Sequence, residues 1–284
     1  QIVSMLPLVF LFVLVANPVF VSGLYPIVCF HGYGGSSADF ADFVAATRNK
    51  FPDTVVVSLP LFEHKESYRP LWEQVDAISS FLAQNQSFSK GVNLIGHSQG
   101  ALVSRAVVEV SSVPIVSFVS LAGPQLGQFG EIELPEWFEK LTKNEAWLVM
   151  YTKLAQDSFS AANYWHDPHH EAEFMKHSVF LPPLTLQSNA TYKKKFEAVG
   201  QAAFFGSESD GVIQPWYSSV WSYLDAGGNR VPMEQQSVWV NDTLGLRSLN
   251  QTGRLLVEQV RGVHHGDWLR NPALWDQHIY PRLK

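Results

Sequence analysis

Gly96-His97-Ser98-Gln99-Gly100 sets one serine between two glycines, directly after the apolar run 92–95 and directly before the helical pattern 101–110. A strand-to-helix turn this sharp projects its serine as a nucleophile. Side chains at Gly96 or Gly100 would meet neighbouring backbone, and the helix starting beneath Ser98 aims its first amides at charge that develops during acyl transfer. An ordinary strand-to-helix turn has no need of glycine on both sides of one serine.

A hydroxyl attacks poorly unless a histidine takes its proton, and that histidine needs a carboxylate to fix its tautomer. Behind such an elbow the chain order is serine, acid, histidine. Asp210, in Ser209-Asp210-Gly211-Val212-Ile213, follows the apolar run 202–205 and is flanked by turn-forming glycines, so it is the expected acid. Glu208 and Asp225 are its competitors. The base belongs in the loop after the last strand, where His264 and His265 stand side by side in Gly262-Val263-His264-His265-Gly266. Pattern alone leaves these two open. The oxyanion amides are expected from Gln99, next to the serine, and from Tyr33 in His31-Gly32-Tyr33-Gly34-Gly35, whose glycines let that amide turn inward. The same loop lacks the G-x-G-x-x-G pattern and the Walker lysine that would make it a phosphate cradle.

One further cluster, Asn163-Tyr164-Trp165-His166-Asp167-Pro168-His169-His170, resembles a metal site only superficially. Pro168 prevents a regular helical His pair and no second ligand group has metal-like spacing, so a structural or substrate-lining loop is expected, with no metal and no cofactor.

These residues require a scaffold, and the pattern supplies one. Short strand-like runs at 25–30, 54–59, 92–95, 115–121, 202–205 and 255–260 alternate with helical stretches at 38–50, 71–84 and 98–110. Leu71, Val75, Ile78 and Leu82 recur at helical spacing and give one apolar face. This alternation predicts an α/β architecture with a mostly parallel sheet. Residues 123–196 break the rhythm with scattered aromatics and Pro182-Pro183, and read as an insertion; Lys193-Lys194-Lys195 reads as a solvated helix face.

The chain has 284 residues, 46% hydrophobic and 16% charged, with a net charge of -6, which gives a sizeable core and argues against nucleic acid as a partner. Nineteen glycines and 16 prolines disfavour a coiled coil. The single cysteine, Cys29, excludes an intrachain disulfide and is expected to be a buried structural thiol. The uncharged apolar run 6–16, broken by Asn17-Pro18 and followed by small residues at 22 and 23, predicts a secretory signal over residues 1–23. The mature chain would then begin near Leu24, with no stable membrane span after cleavage. Four sequons, at Asn85, Asn189, Asn241 and Asn250, fit a glycosylated luminal protein.

From about residue 24 to the C-terminus the chain resembles the palmitoyl-protein thioesterase family, most closely its second, lysosomal branch. The resemblance is carried by His31-Gly32, the Ser98 elbow, Glu66-Ser67-Tyr68-Arg69-Pro70-Leu71-Trp72-Glu73-Gln74-Val75, Pro124-Gln125-Leu126-Gly127-Gln128, residues 163–170, and Asp210-Gly211-Val212-Ile213 with Pro215-Trp216. It implies an α/β-hydrolase domain over 24–284, with a lid-like insertion at about 123–196. The implied activity is hydrolysis of long-chain fatty acyl thioesters, such as palmitoyl-CoA or S-palmitoyl groups, in the lysosome through an acyl-serine and without metal. The family histidine aligns with His265 rather than His264. Two departures stand out: relatives carry disulfide cysteines that this chain lacks, and the elbow has Gly96-His97 where the close branch often has Cys-Tyr. A serine triad does not itself dictate thioesters. A secreted lipase or carboxylesterase acting on oxygen esters, or a catalytically silent lipid-binding relative, is the competing expectation.

Overall fold

Strands β1 (Ile27–Phe30), β2 (Val56–Ser58), β3 (Val92–His97), β4 (Ile115–Leu121) and β5 (Ala202–Gly206) join the later β8 (Leu255–Gln259) in one sheet of order β2-β1-β3-β4-β5-β8. Every neighbouring pair in it is parallel. The computed structural model describes residues 23–130 and 145–284; the apolar N-terminal run and residues 131–144 of the expected insertion lie outside them. A small antiparallel ribbon of β6 (Tyr223–Leu224) and β7 (Arg230–Val231) stands apart from the sheet.

The strands are apolar at consecutive positions because both faces of the sheet are covered. In β1, Val28 and Phe30 enter one core while Ile27 and Cys29 enter the other; in β5, Ala202 and Phe204 oppose Ala203 and Phe205 in the same way. Burial pushes the Cys29 thiol far above its ordinary range, so it packs as an inert small hydrophobe. Helix α1 (Ala41–Lys50) covers the second face with Phe43, after a 3-10 turn at Ser37–Phe40. Helices α2 (Leu71–Gln84) and α3 (Gln99–Val110) cover the first.

Helix α2 buries Leu71, Val75, Ile78 and Leu82, the stripe read from its spacing. Pro70 precedes it and contributes no side-chain cap, and the first amide, Leu71 N–H, donates to Asn163 Oδ1 at 2.8 Å. A residue from the region between β4 and β5 thus satisfies a helix end that local sequence leaves open. Helix α3 has Gln99 through Glu109 buried, since the helix Ala190–Glu197 packs on its outer side.

The elements differ from the sequence pattern mainly at their ends. Strand β3 runs on to His97, past the expected 92–95, because Gly96 and His97 pair with Ser120 and Leu121 of β4. Pairing inside the sheet overrides the low strand preference of glycine. Among the described residues no helix is long and apolar enough to cross a membrane.

Candidate active site

Ser98 occupies the turn itself, with φ 57° and ψ -133°. A non-glycine residue in that region costs about 1–3 kcal/mol and persists only where its surroundings hold it. Here Ser98 N–H donates to Leu121 O at 2.9 Å, and Ser98 O accepts from Ala101 N–H at 2.9 Å. The glycines are explained by distance. A β-carbon at Gly100 would lie 2.1 Å from the His31 carbonyl oxygen, and one at Gly96 would lie 2.4 Å from Ala101 Cα.

The loops that follow β5 and β8 bring the other groups in. His265 Nδ1 lies 2.8 Å from Asp210 Oδ2 and 3.0 Å from Oδ1, and His265 N–H donates to Asp210 O at 3.0 Å. Asp210 Oδ1 also accepts from the amides of Ile213 at 2.7 Å and Val212 at 3.0 Å. Burial alone would raise the Asp210 carboxyl, but the hydrogen bond and charge of His265 and those two amides outweigh it and hold the group below its ordinary value. With Nδ1 donating to a carboxylate, Nε2 of His265 is left as the basic nitrogen.

The competing residues lie elsewhere. His264 is exposed, with its amide on Asp267 Oδ2. Glu208 is exposed and accepts from Gln259, while Asp225 closes the turn of the β6–β7 ribbon by accepting from Gly227 and Asn229.

Ser98 and His265 line one cavity of about 740 Å³, walled by Tyr33, Gln99, Gln128, Tyr164 and Ile213 among others. It opens at the carboxyl ends of the strands, where parallel α/β sheets place their ligands. The loop after β1 is tied down amide by amide: Gly34 N–H donates to Ser67 Oγ at 2.7 Å and Gly35 N–H to Gly32 O at 3.1 Å. Gly34 and Gly35 are thereby committed, and the Tyr33 ring stacks on Tyr68 at 4.2 Å. A β-carbon at Gly32 would lie 2.7 Å from Ser98 Cβ, so this loop and the elbow are in direct contact.

Three supporting residues had no role in the sequence pattern. Ser67 is a hub: its carbonyl accepts from Gln99 Nε2 at 2.8 Å, Gln74 Nε2 at 2.9 Å and Ser160 Oγ at 3.1 Å, joining the loop after β1 to α2 and α3. Arg105, fully buried in α3, bonds Glu109 at 2.8 Å, Gln125 Oε1 at 2.7 Å and Thr185 Oγ1 at 2.8 Å, so it ties α3 to two segments of the region between β4 and β5. His97 is buried directly before the nucleophile. In the sequence it stands out only as part of Gly96-His97, inside the elbow.

The histidines of 163–170 are held by protein groups. His166 lies between the rings of Phe174 (3.8 Å) and Tyr223 (4.3 Å), with Nδ1 at Leu126 O and Nε2 at Glu171 Oε2. His170 Nδ1 bonds Asp167 Oδ2 and His169 Nδ1 bonds Ala226 O. Among the described residues no group of three or more His, Cys, Asp or Glu is arranged to hold a metal. Of the sequon asparagines, Asn241 and Asn250 are exposed, and Asn85 and Asn189 are half-buried with side-chain oxygens capping the turns after them.

A family description, palmitoyl protein thioesterase, matches residues 26–265, from the edge of β1 to His265 itself. The rat lysosomal thioesterase PPT2 is 37% identical over 265 residues, covering 91% of this chain and 87% of that protein. The human lysosomal thioesterase PPT2 is 35% identical over 292 residues, covering 99% and 95%. A Drosophila melanogaster homolog of lysosomal thioesterase PPT2 is 29% identical over 266 residues, covering 91% of each. With the family match spanning all six strands of the sheet and identity above 30% across nearly the whole length of mammalian relatives, this chain belongs to the palmitoyl protein thioesterase family of hydrolases.

Proposed function

We propose that the protein is a lysosomal serine thioesterase that hydrolyses long-chain fatty acyl thioesters, such as palmitoyl-CoA or S-palmitoyl groups. The observation that carries this reading is the shared cavity: Ser98 and His265 line it together, and His265 is bonded to Asp210. His265 takes the Ser98 proton as Oγ attacks the thioester carbonyl, and the amides of Gln99 and Tyr33 receive the oxyanion. The tetrahedral intermediate collapses to acyl-Ser98 as the His265 imidazolium passes its proton to the departing sulfur, which leaves as the thiol. A water deprotonated by His265 then attacks the ester, the fatty acid leaves, and the proton returns to Ser98 Oγ. Asp210 keeps the imidazole oriented and stabilises its charged form throughout.

The region 123–196 acts as a lid-like wall, since its described part contributes Pro124, Gln128 and Tyr164 to the cavity. Cleavage of a signal near Leu24 and glycans at Asn85, Asn189, Asn241 and Asn250 agree with passage through the secretory pathway to the lysosome, the compartment in the names of the PPT2 relatives.

The test is hydrolysis of palmitoyl-CoA by the secreted, glycosylated protein at acidic and neutral pH, beside Ser98→Ala and a palmitoyl oxygen ester of equal chain length. Turnover of the thioester that vanishes in Ser98→Ala is the expected result. Cleavage of the oxygen ester alone would replace this reading by a lipase or carboxylesterase, and no turnover of either by folded protein would replace it by a silent lipid binder.

A further inference from the structure

We infer that His97 is a positioning residue that sets the distance between base and nucleophile, by tying the main chain of His265 to the residue next to Ser98. The inference rests on the triad reading above. His97 Nε2 lies 2.8 Å from His265 O, and a carbonyl can only accept, so Nε2 carries the proton and donates. The two rings lie 4.6 Å apart at 50°.

The loop that carries His265 needs such an anchor. Gly262, at φ 70°, and Gly266 flank it, and a β-carbon at either would touch nothing within 4 Å, so neither end is braced by packing at these positions. Besides the buried Val263 side chain and the His264 amide on Asp267 Oδ2 within the loop, its other holds come from the β5 side: Val263 N–H donates to Ser207 Oγ at 3.2 Å, and His265 bonds Asp210 through its own N–H and Nδ1. Those contacts orient the imidazole relative to the acid and say nothing of its distance from Ser98. The His97 bond supplies that distance, because His97 is paired with Leu121 in the sheet and is covalently next to the nucleophile.

The anchor also keeps its form during the reaction. Burial, and the positive charge of His265 when that ring is protonated, push His97 down to about 3, so it stays neutral beside the imidazolium. Asp210, the acid that faces both rings, stays with His265.

The experiment compares wild type, His97→Leu and His97→Gln, the last of which can place an amide donor near the position of Nε2. Labelling of Ser98 by a fluorophosphonate reports the nucleophile–base geometry without depending on the substrate; palmitoyl-CoA kinetics and melting temperatures accompany it. Misplacing a reacting pair by about 1 Å can cost about 100-fold. His97→Leu should therefore label and turn over about 10 to 100-fold more slowly with KM within about twofold, and His97→Gln should recover most of that rate even if it melts no higher than His97→Leu. Labelling of His97→Leu at the wild-type rate would overturn the inference, as would equal slowing of both variants, which would mean packing rather than the hydrogen bond. A wild type that neither labels nor turns over would overturn the triad reading itself.

Discussion

Asp210 and His265 are joined twice: the carboxylate accepts a hydrogen bond from the ring Nδ1–H at 2.8 Å, and the main-chain carbonyl of Asp210 accepts one from the His265 amide at 3.0 Å. The second bond means that the loops after β5 and β8 are registered to each other before any side chain is considered. Replacing the carboxylate by an amide keeps that registration and removes the tautomer control. We expect Asp210→Asn to fold and to lose about 10⁴-fold in kcat, measured as palmitoyl-CoA turnover.

The same pair sets a pH expectation. The Asp210 carboxyl is held below its ordinary value near 3.8, so the stability it gives is fully present above that value and is lost as pH falls through its lower folded value. Urea melts should show the stability difference between wild type and Asp210→Asn narrowing only below about pH 4. A difference that shrinks already near pH 6 would contradict this.

Adjacent histidines with different environments give a second contrast. His264 is exposed and hydrogen-bonded through its backbone, whereas the His265 ring reaches both the acid and the cavity. His264→Ala should keep kcat/KM within about twofold of wild type, as exposed substitutions generally do, while His265→Ala should lose about 10⁶-fold in kcat.

The elbow glycine has a steric role that thermal unfolding can read. A methyl group at Gly100 would lie 2.1 Å from His31 O and 2.6 Å from Phe30 O, both rigid backbone of β1 and its following loop. Gly100→Ala should cost about 1–3 kcal/mol or more and lower the melting temperature by several degrees, with fluorophosphonate labelling lost even in the fraction that remains folded.

Arg105 and Glu109 form an ion pair with both side chains fully buried, and burial raises the Glu109 carboxyl against the pull of Arg105. Such a pair is costly to break and cheaper to replace. Arg105→Met should destabilise by about 3–5 kcal/mol in chemical denaturation, and adding Glu109→Leu should recover part of that loss. Recovery should be incomplete, since Arg105 also holds Gln125 and Thr185.

What the sequence determined is local. The strand runs and the α2 stripe follow from apolar spacing, which depends only on which faces must be buried. The elbow was legible because its serine and both glycines stand together within five residues, although the atoms that exclude a side chain at Gly100 belong to His31 and Phe30. Asp210 could be nominated from its turn, and His264 and His265 from their place after the last strand. Choosing between those two took the family resemblance, because both satisfy the same pattern. Tertiary structure decided what depends on atoms far apart in the chain: which histidine reaches Asp210 across 55 residues, that Asn163 caps α2 from 92 residues away, and that Ser67 and His97 brace the site. A serine or histidine becomes a brace only when folding brings it a partner and removes water, and neither event leaves a periodicity in the sequence.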